Sequence, residues 1–253
     1  MRPRKQHSGK VPRTLLACVT AILVFGAQEG VLAQESPSVT DDGRIGAIFA
    51  HPIIGDFSGA PYVWFDYQTG GVKSYRVSFP SVIYHATSWL EGWTGFIVTW
   101  KNDTPSGDTR ELRPYVGVKV YLPNSAHIHL YDLSRYEWRR TTNTDTNTVQ
   151  WAHRFRTRPG VEFPLNDRAW KPGTFYGLAN AEVFVEDGFV DALRFAAGGG
   201  YIKKDRLRFE LQYVAELSRQ SPSDVLAYSD NSFRFDIKFS FQQGLLQRQQ
   251  GPD

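Results

Sequence analysis

The sequence predicts an all-β protein, folded as an antiparallel up-and-down transmembrane β-barrel of about ten strands, or of about twelve if the segment 44–50 and one further hairpin also contribute strands. Polar and apolar residues alternate with a period of two along several segments, which is the pattern of strands whose two faces differ. The chain of 253 residues contains 7 Trp, 12 Tyr and 17 Phe, and its 22 Gly and 14 Pro interrupt it often. Abundant aromatic residues and frequent turn-forming residues are typical of a sheet protein.

The first 33 residues have the parts of a secretory signal peptide. A basic segment from Arg2 to Arg13 precedes the apolar run 15–25, which is shorter than the roughly 20 apolar residues that span a bilayer as a helix. Val31 and Ala33 occupy the two small-residue positions before a cleavage site. We therefore expect residues 1–33 to be removed on export. An uncleaved membrane anchor is the alternative, which the short apolar run disfavours.

Charge and cysteine content change once the predicted signal is set aside. The whole chain has 29 Lys or Arg and 26 Asp or Glu. Five of the basic and one of the acidic residues lie in 1–33, which leaves 24 basic and 25 acidic residues. A nearly neutral remainder gives no reason to expect a nucleic-acid partner. The only cysteine, Cys18, also lies in the signal, and a cysteine-free remainder suits an oxidising compartment.

Three regions follow the predicted signal. Residues 34–58 are predicted to form an N-terminal extension with a short strand at 44–50, residues 59–241 the barrel, and residues 242–253 a C-terminal tail. Polar or Gly-containing connectors separate the predicted strands of the barrel. These strands span 60–68, 72–85, 91–101, 110–122, 127–140, 148–158, 174–186, 189–202, 206–213 and 233–241.

The last predicted strand shows the clearest alternation. From Phe233 to Phe241 every odd position is aromatic or Ile, and every even position is charged or carries a hydroxyl. The segment 206–213 repeats this pattern with Arg, Glu and Gln between apolar residues. Long polar connectors alternate with short ones along the meander, as in outer-membrane barrels, but the segment 160–173 is long where a short connector is expected.

Alternation alone does not decide which face points outward. A soluble barrel places its apolar face inside, whereas a membrane barrel places it in lipid. The polar faces are rich in arginine with interspersed acids, and arginine suits confined pairs with carboxylates. We therefore predict an Arg/Glu-lined lumen, which is either filled by ion pairs or forms an anion-selective channel. The predicted lumen-lining residues are Arg113, Arg135, Glu137, Arg139, Arg154, Arg156, Arg158, Glu182, Arg194, Arg208, Glu210, Arg234, Asp236 and Lys238.

Three short motifs follow one another along the predicted strands. Glu111 to Tyr115 contains E-x-R, Arg135 to Arg139 contains R-x-E-x-R, and Arg154 to Arg158 contains R-x-R. Their order resembles an uncharacterised bacterial family that is known only as a domain of unknown function and is regarded as outer-membrane β-barrels. The resemblance covers residues 60–241. It implies the fold and an outer-membrane location, and it implies no activity.

The residues after the signal offer little catalytic chemistry. A serine hydrolase needs a hydroxyl within reach of an imidazole, which on one strand takes the form His-x-Ser. None of His51, His85, His127, His129 and His153 has Ser two residues later. His127 and His129 share a face and could bind a metal weakly, but histidines beside a turn are the commoner use of such a pair. We expect no catalytic residue, no metal site and no cofactor.

The leading hypothesis is a non-enzymatic integral outer-membrane barrel of a Gram-negative bacterium with a structural or narrow-channel role. Its expected partners are the lipid bilayer, lipopolysaccharide, the barrel-assembly machinery and, for a channel, a small anionic solute. A second hypothesis is a membrane-embedded lipid-modifying hydrolase, which would need a Ser–His pair supplied by different strands. A third is a soluble secreted β-barrel that binds a ligand.

Overall fold

The computed structural model describes residues 43–68, 71–102, 107–123, 127–167, 169–219 and 224–241, which form strands and connectors without a helix. The predictions of a signal peptide at 1–33 and of a tail at 242–253 lie outside these residues. No helix in the described ranges is long and apolar enough to cross a membrane. The strands are β1 (Gly43–Ile54), β2 (Phe57–Gly59), β3 (Tyr62–Gln68), β4 (Gly71–His85), β5 (Leu90–Lys101), β6 (Thr109–Leu122), β7 (His129–Asn143), β8 (Val149–Pro164), β9 (Phe175–Glu186), β10 (Phe189–Lys204), β11 (Leu207–Ser218) and β12 (Ala227–Ser240).

The strands close into one sheet with eleven positions around its circumference. From β4 to β12 each strand pairs antiparallel with the next. The short β2 and β3 share one position: β2 pairs with the last residues of β1 and β4, and β3 pairs with the earlier residues of both. The predicted all-β barrel is confirmed, and the number of strand positions lies between the two predicted values.

The barrel closes at a seam formed by β1 and β12, and this pair is parallel. The seam runs from Gly43 beside Phe233 to Ala50 beside Ser240. The prediction of antiparallel pairing throughout is wrong at this one pair. In a closed meander with an odd number of strands the first and last strands run in the same direction, so one parallel pair follows from the count.

The first strand lies in the segment that the sequence assigned to an N-terminal extension. The barrel therefore starts at Gly43 rather than at residue 59. Small residues obscure the alternation along β1, and one of them is required by packing. A Cβ atom at Gly46 would lie 1.9 Å from Cδ1 of Trp64 on β3. Gly46 thus leaves room for the Trp64 side chain next to the seam.

The two faces of the strands differ in chemistry, and the buried face is the polar one. On β11 and β12, Glu210 and Asp236 are buried, whereas Leu211, Tyr213 and Phe233 are exposed. Other strands repeat this division, with buried carboxylates and arginines and exposed aromatic or aliphatic residues. Soluble proteins seldom bury charged side chains or expose extended apolar surfaces. The barrel therefore buries many charged side chains and exposes many large apolar ones.

The connector between β8 and β9 folds back onto the barrel. Nε1 of Trp170 donates a hydrogen bond to the backbone oxygen of His127 at 2.9 Å. The Trp170 ring also stacks on His129, with ring centroids 3.9 Å apart. Because β8 continues to Pro164, this connector is shorter than the one that the sequence predicted at 160–173.

Trp170 belongs to a small apolar cluster at one end of the barrel. We call this end B; the connectors from β1 to β2, β4 to β5, β8 to β9 and β10 to β11 lie there. The other members of the cluster are Tyr176 and Leu178 on β9 and Ile202 on β10. End B is therefore packed by a folded connector, and the interior beyond it is polar.

Candidate functional site

Glu137 on β7 is the centre of a buried ion-pair network and has no exposed surface. Its carboxylate lies 2.5 Å from Nη2 of Arg135, 2.7 Å from Nη2 of Arg154 and 3.1 Å from Nε of Arg156. Nε of Arg113 is 3.5 Å away. Four arginines thus share one carboxylate. Further acids are needed nearby, because buried charges are stable only when they are paired.

Glu111 supplies the first of these additional carboxylates. It forms a buried ion pair with Arg113 on its own strand, and it lies 2.9 Å from Nη2 of Arg139 on β7. Arg139 also pairs with Glu186 at the end of β9. These contacts extend the network from Glu137 toward the end of the barrel opposite end B.

Glu182 extends the network in the other direction around the wall. Its carboxylate lies 2.9 Å from Nη1 of Arg156 on β8 and 3.3 Å from Nη1 of Arg194 on β10. Arg194 also pairs with Glu216 on β11 at 2.5 Å. A continuous chain of ion pairs therefore links six consecutive strands, from β6 to β11.

A second charged group surrounds Trp64 near the seam. The guanidinium carbons of Arg44, Arg76 and Arg234 lie 5.5, 5.6 and 5.9 Å from the centre of its ring. Arg44 also pairs with Asp66. Cations are attracted to the negative face of an aromatic ring, so Trp64 helps to hold three arginines with few acids beside them.

A cavity of about 180 Å³ lies among the buried side chains. This is smaller than the roughly 300–1,000 Å³ of pockets that hold drug-sized ligands. Its lining is more cationic than anionic. The charged lining residues are Lys119, Arg135, Arg156, Arg158, Arg234 and Lys238 against Glu162, Glu210 and Asp236.

Ser58, His85 and Glu91 form a line of hydrogen bonds at end B. Oγ of Ser58 on β2 lies 2.8 Å from Nε2 of His85 at the end of β4. Nδ1 of His85 lies 3.1 Å from Oε1 of Glu91 on β5, and the other carboxylate oxygen accepts a hydrogen bond from Nε1 of Trp93 at 3.0 Å. The distance from Ser58 to His85 falls in the range of about 2.6–3.2 Å over which a base can activate a hydroxyl nucleophile, and the distance from His85 to Glu91 falls in the same range.

None of the predicted lumen-lining residues is exposed. Eight of them belong to the β6–β11 network, and Arg158, Glu210, Arg234, Asp236 and Lys238 line the cavity. The remaining one, Arg208, is buried with its guanidinium 6.0 Å from the Trp170 ring centre. That these side chains line a conducting lumen stays a prediction.

Sequence reasoning missed several residues of the site. Glu111 could have been included, because it lies two residues from Arg113 and so shares its face of β6. Ser58 and His85 gave no local signal, since they are 27 residues apart and meet only through the pairing of β2 with β4. The two histidines of the predicted pair make different contacts with Trp170. The His129 ring stacks on the indole, and the backbone oxygen of His127 accepts the hydrogen bond from Trp170. In the part of the chain that the structure describes, no group of three metal-ligating side chains occurs.

The fold and the site define a closed β-barrel that buries an extended ion-pair network and exposes an apolar face. The chain matches the family "protein of unknown function (DUF2490)" over residues 64–226, more than half of its length, and it belongs to that family. The resemblance to a family known as a domain of unknown function is thereby confirmed. No curated protein sequence matches the chain.

Proposed function

We propose that this protein is exported and spans the outer membrane of a Gram-negative bacterium as a β-barrel, with its exposed apolar face in lipid. The proposal rests on the burial of charged side chains next to exposed apolar ones, as where buried Glu210 is followed by Leu211 with 54 % of its surface exposed. Membrane barrels alternate in this way, with apolar residues outward and polar residues inward. In water the same surface would be an extended apolar patch, which monomeric soluble proteins rarely expose.

Aromatic pairs on the exposed face support the same proposal. Tyr213 and Phe233 pack with ring centroids 5.5 Å apart, and Tyr136 and Trp138 pack at 4.9 Å. All four side chains are exposed. Tyr and Trp favour the membrane interface, where one end of the side chain is in apolar surroundings and the other is wet. The partners that this location brings are the lipid bilayer, lipopolysaccharide and the barrel-assembly machinery.

The interior supports a structural role before a conducting one. The arginines around Glu137 are bound to carboxylates, and each pair joins neighbouring strands or residues of the wall. A channel needs sites that a solute can enter and leave, whereas paired charges already satisfy one another. The protein in a planar bilayer should therefore be silent. A steady anion-selective current would instead support the narrow channel and its small anionic solute.

Electrophoresis and membrane extraction test the location. We expect the unheated protein to migrate differently from the boiled protein, because a closed barrel resists the detergent until it is heated. We also expect it to stay with outer membranes during carbonate extraction. Identical migration together with release by carbonate would favour the soluble secreted barrel.

The expectation that the protein is not an enzyme stays a prediction. The ion-pair network needs no substrate and is consistent with it. Ser58, His85 and Glu91 are the described residues that argue against it, because a serine held by an imidazole and a carboxylate is an arrangement with reactivity of its own.

A further inference from the structure

We propose that Ser58, His85 and Glu91 form a hydrolytic site that cleaves small anionic esters inside the barrel. Ser58 is the nucleophile, His85 the general base, and Glu91 a positioning residue that acts through His85. Ser58 and His85 line the interior cavity, and the Glu91 side chain is 3 % exposed. All three residues belong to one chain and meet inside the barrel. The proposed activity therefore does not depend on the proposed location in the outer membrane.

The hydrogen bonds fix the tautomer of His85. An ionised carboxylate only accepts hydrogen bonds, so Nδ1 of His85 donates to Glu91. A neutral imidazole then has its lone pair on Nε2, and the Ser58 hydroxyl donates to that atom across 2.8 Å. This is the arrangement in which an imidazole can remove the proton of a serine hydroxyl.

The sheet holds the three side chains in this order. His85 lies directly opposite Glu91 in the pairing of β4 with β5, and Ser58 lies opposite Ile83 in the pairing of β2 with β4. Residues two apart share a face of a strand, so His85 is next to Ile83 on the face that Ser58 also occupies. Trp93 fixes the far oxygen of Glu91. Groups on strands are held more exactly in position than groups on loops.

Hydrolysis proceeds in two balanced halves, with water as the co-reactant. In the first, Oγ of Ser58 bonds to the ester carbonyl carbon and its proton passes to Nε2 of His85. The bond from that carbon to the alcohol oxygen breaks, and the alcohol leaves with the proton. In the second, water attacks the acyl-serine and gives a proton to Nε2. The acid then leaves as this proton returns to Oγ of Ser58.

The chemistry of the cavity favours a substrate that carries negative charge. Arg158 and Arg234 line it, and their Nε atoms are buried without a hydrogen-bond partner among the described residues. Buried donors of this kind favour a ligand that is rich in acceptors. Lys119 also lines the cavity and lies opposite Glu91 in the pairing of β5 with β6. A cation in the cavity that holds the substrate favours the negative charge that develops in the transition state.

Reaction with diisopropyl fluorophosphate tests the nucleophile, because this reagent modifies serines that a neighbouring base activates. The folded barrel in detergent is treated and digested, and the mass of the Ser58 peptide is measured. We expect the adduct in the wild-type protein and none in Ser58→Ala. Ser81→Ala is the matched control, since Ser81 is also buried but bonds to the Tyr115 hydroxyl at 2.8 Å instead of to an imidazole. It should be labelled at Ser58 like the wild type.

Two results would overturn the proposal. One is no adduct on Ser58 in the folded wild-type protein, and the other is equal total labelling of wild type and Ser58→Ala. Heat-dependent migration establishes that each variant is folded. The same gels separate this proposal from the proposed location: labelled Ser58 in a carbonate-soluble protein contradicts only the location, and unlabelled Ser58 in a heat-modifiable membrane protein contradicts only the hydrolytic site.

The roles of His85 and Glu91 are tested by the rate of labelling. His85→Gln should lower the rate about a hundredfold or more, which is the usual contribution of a general base. Glu91→Gln should also lower it, and Glu91→Asp should recover part of the loss because it keeps the carboxylate. A purely structural role of Glu91 predicts the same rate for the Gln and Asp variants in folded protein, and that result would remove Glu91 from the site.

The substrate class is tested with two esters of similar size. We expect kcat/KM for p-nitrophenyl hydrogen succinate to exceed that for p-nitrophenyl butyrate by about tenfold, the scale of one charge-assisted hydrogen bond. Arg158→Gln should lower the rate on the succinate ester by a similar factor. The exposed Arg110 provides the control, and Arg110→Gln should leave that rate unchanged. Equal kcat/KM values for the two esters would overturn the assignment to anionic substrates.

Discussion

The two sides of the barrel interior stabilise buried carboxylates in different ways. On the side formed by β6–β11, Glu137 is surrounded by arginines. On the side formed by β2–β5, Glu91 is bound by His85 and Trp93, and the neighbouring buried residues are mainly hydroxyl residues. Arginine keeps its proton in proteins, whereas imidazole exchanges one near neutral pH. The ion pairs of the β6–β11 side can therefore hold neighbouring strands together but cannot transfer protons. The β2–β5 side contains an imidazole, which can.

Removal of Glu137 should give the largest loss of stability. Glu137→Ala leaves four arginines around a buried site without the carboxylate that they share, and breaking a buried ion pair in this way costs about 3–5 kcal/mol of the free energy of unfolding. Glu91→Ala should cost less, because it leaves an imidazole without one hydrogen-bond partner, whereas Glu137→Ala leaves four permanently charged guanidinium groups without the carboxylate that they share. Urea unfolding followed by the heat-modifiable band measures both. Equal losses for the two variants would remove the distinction between the two sides.

A charge on the exposed face should give the next largest effect. Leu211 is 54 % exposed, and Leu211→Arg should cost about 2–4 kcal/mol if this position lies near the middle of a bilayer. On a water-facing surface the same substitution changes the free energy of unfolding by at most about 0.5 kcal/mol. The free energy of unfolding of the variant, measured in lipid vesicles, distinguishes the two cases. A change within the smaller range would indicate that water covers this face.

A methyl group next to the seam should have an intermediate effect. Gly46→Ala places a Cβ atom 1.9 Å from Cδ1 of Trp64, so the tryptophan must move, and overpacking of this kind costs about 1–3 kcal/mol. Gly43 is the matched control on the same strand, because the nearest atom to an added Cβ is 3.9 Å away. Differential unfolding in urea compares the two variants. Equal stability of both would show that the seam can absorb the added atom.

An exposed ion pair should have the smallest effect. Lys171 and Asp167 lie 2.6 Å apart in the connector from β8 to β9, with side chains 59 % and 35 % exposed. Water and salt screen such a pair, so Asp167→Ala should cost no more than about 1 kcal/mol. Urea unfolding of Asp167→Ala beside the wild-type protein measures this loss. A loss as large as that of Glu137→Ala would mean that burial does not determine the strength of the ion pairs in this protein.

The sequence predicted the parts of the fold that depend on local pattern. Alternation along β11 and β12 appears in a few residues of sequence, and the structure buries Glu210 and exposes Leu211 accordingly. The first strand, Gly43–Ile54, is longer than the strand predicted at 44–50. Gly46 hides part of its alternation, because it is glycine to leave room for Trp64 on another strand. The parallel seam depends on the total number of strands, and one misjudged segment changes that number.

The site was also predictable only in part, because many of its contacts depend on residues of other strands. Arginines and glutamates two residues apart on one strand share a face, so their burial could be anticipated from spacing. The partners of each group depend on register and rotamer across several strands, as where Arg139 joins Glu111 to Glu186. Ser58 and His85 meet across 27 residues of sequence, and no short motif contains both.

A spin label at position 211 tests most directly whether the apolar face lies in lipid. Cys18 is the only cysteine in the chain, so Leu211→Cys combined with Cys18→Ser gives one attachment site. Lys204→Cys in the same background gives the control, because Lys204 ends β10 and is exposed. In membranes we expect lipid-soluble oxygen to relax the label at 211 more than a water-soluble nickel complex does, with the opposite order at 204. Stronger relaxation of the label at 211 by the nickel complex would contradict a lipid-facing apolar surface.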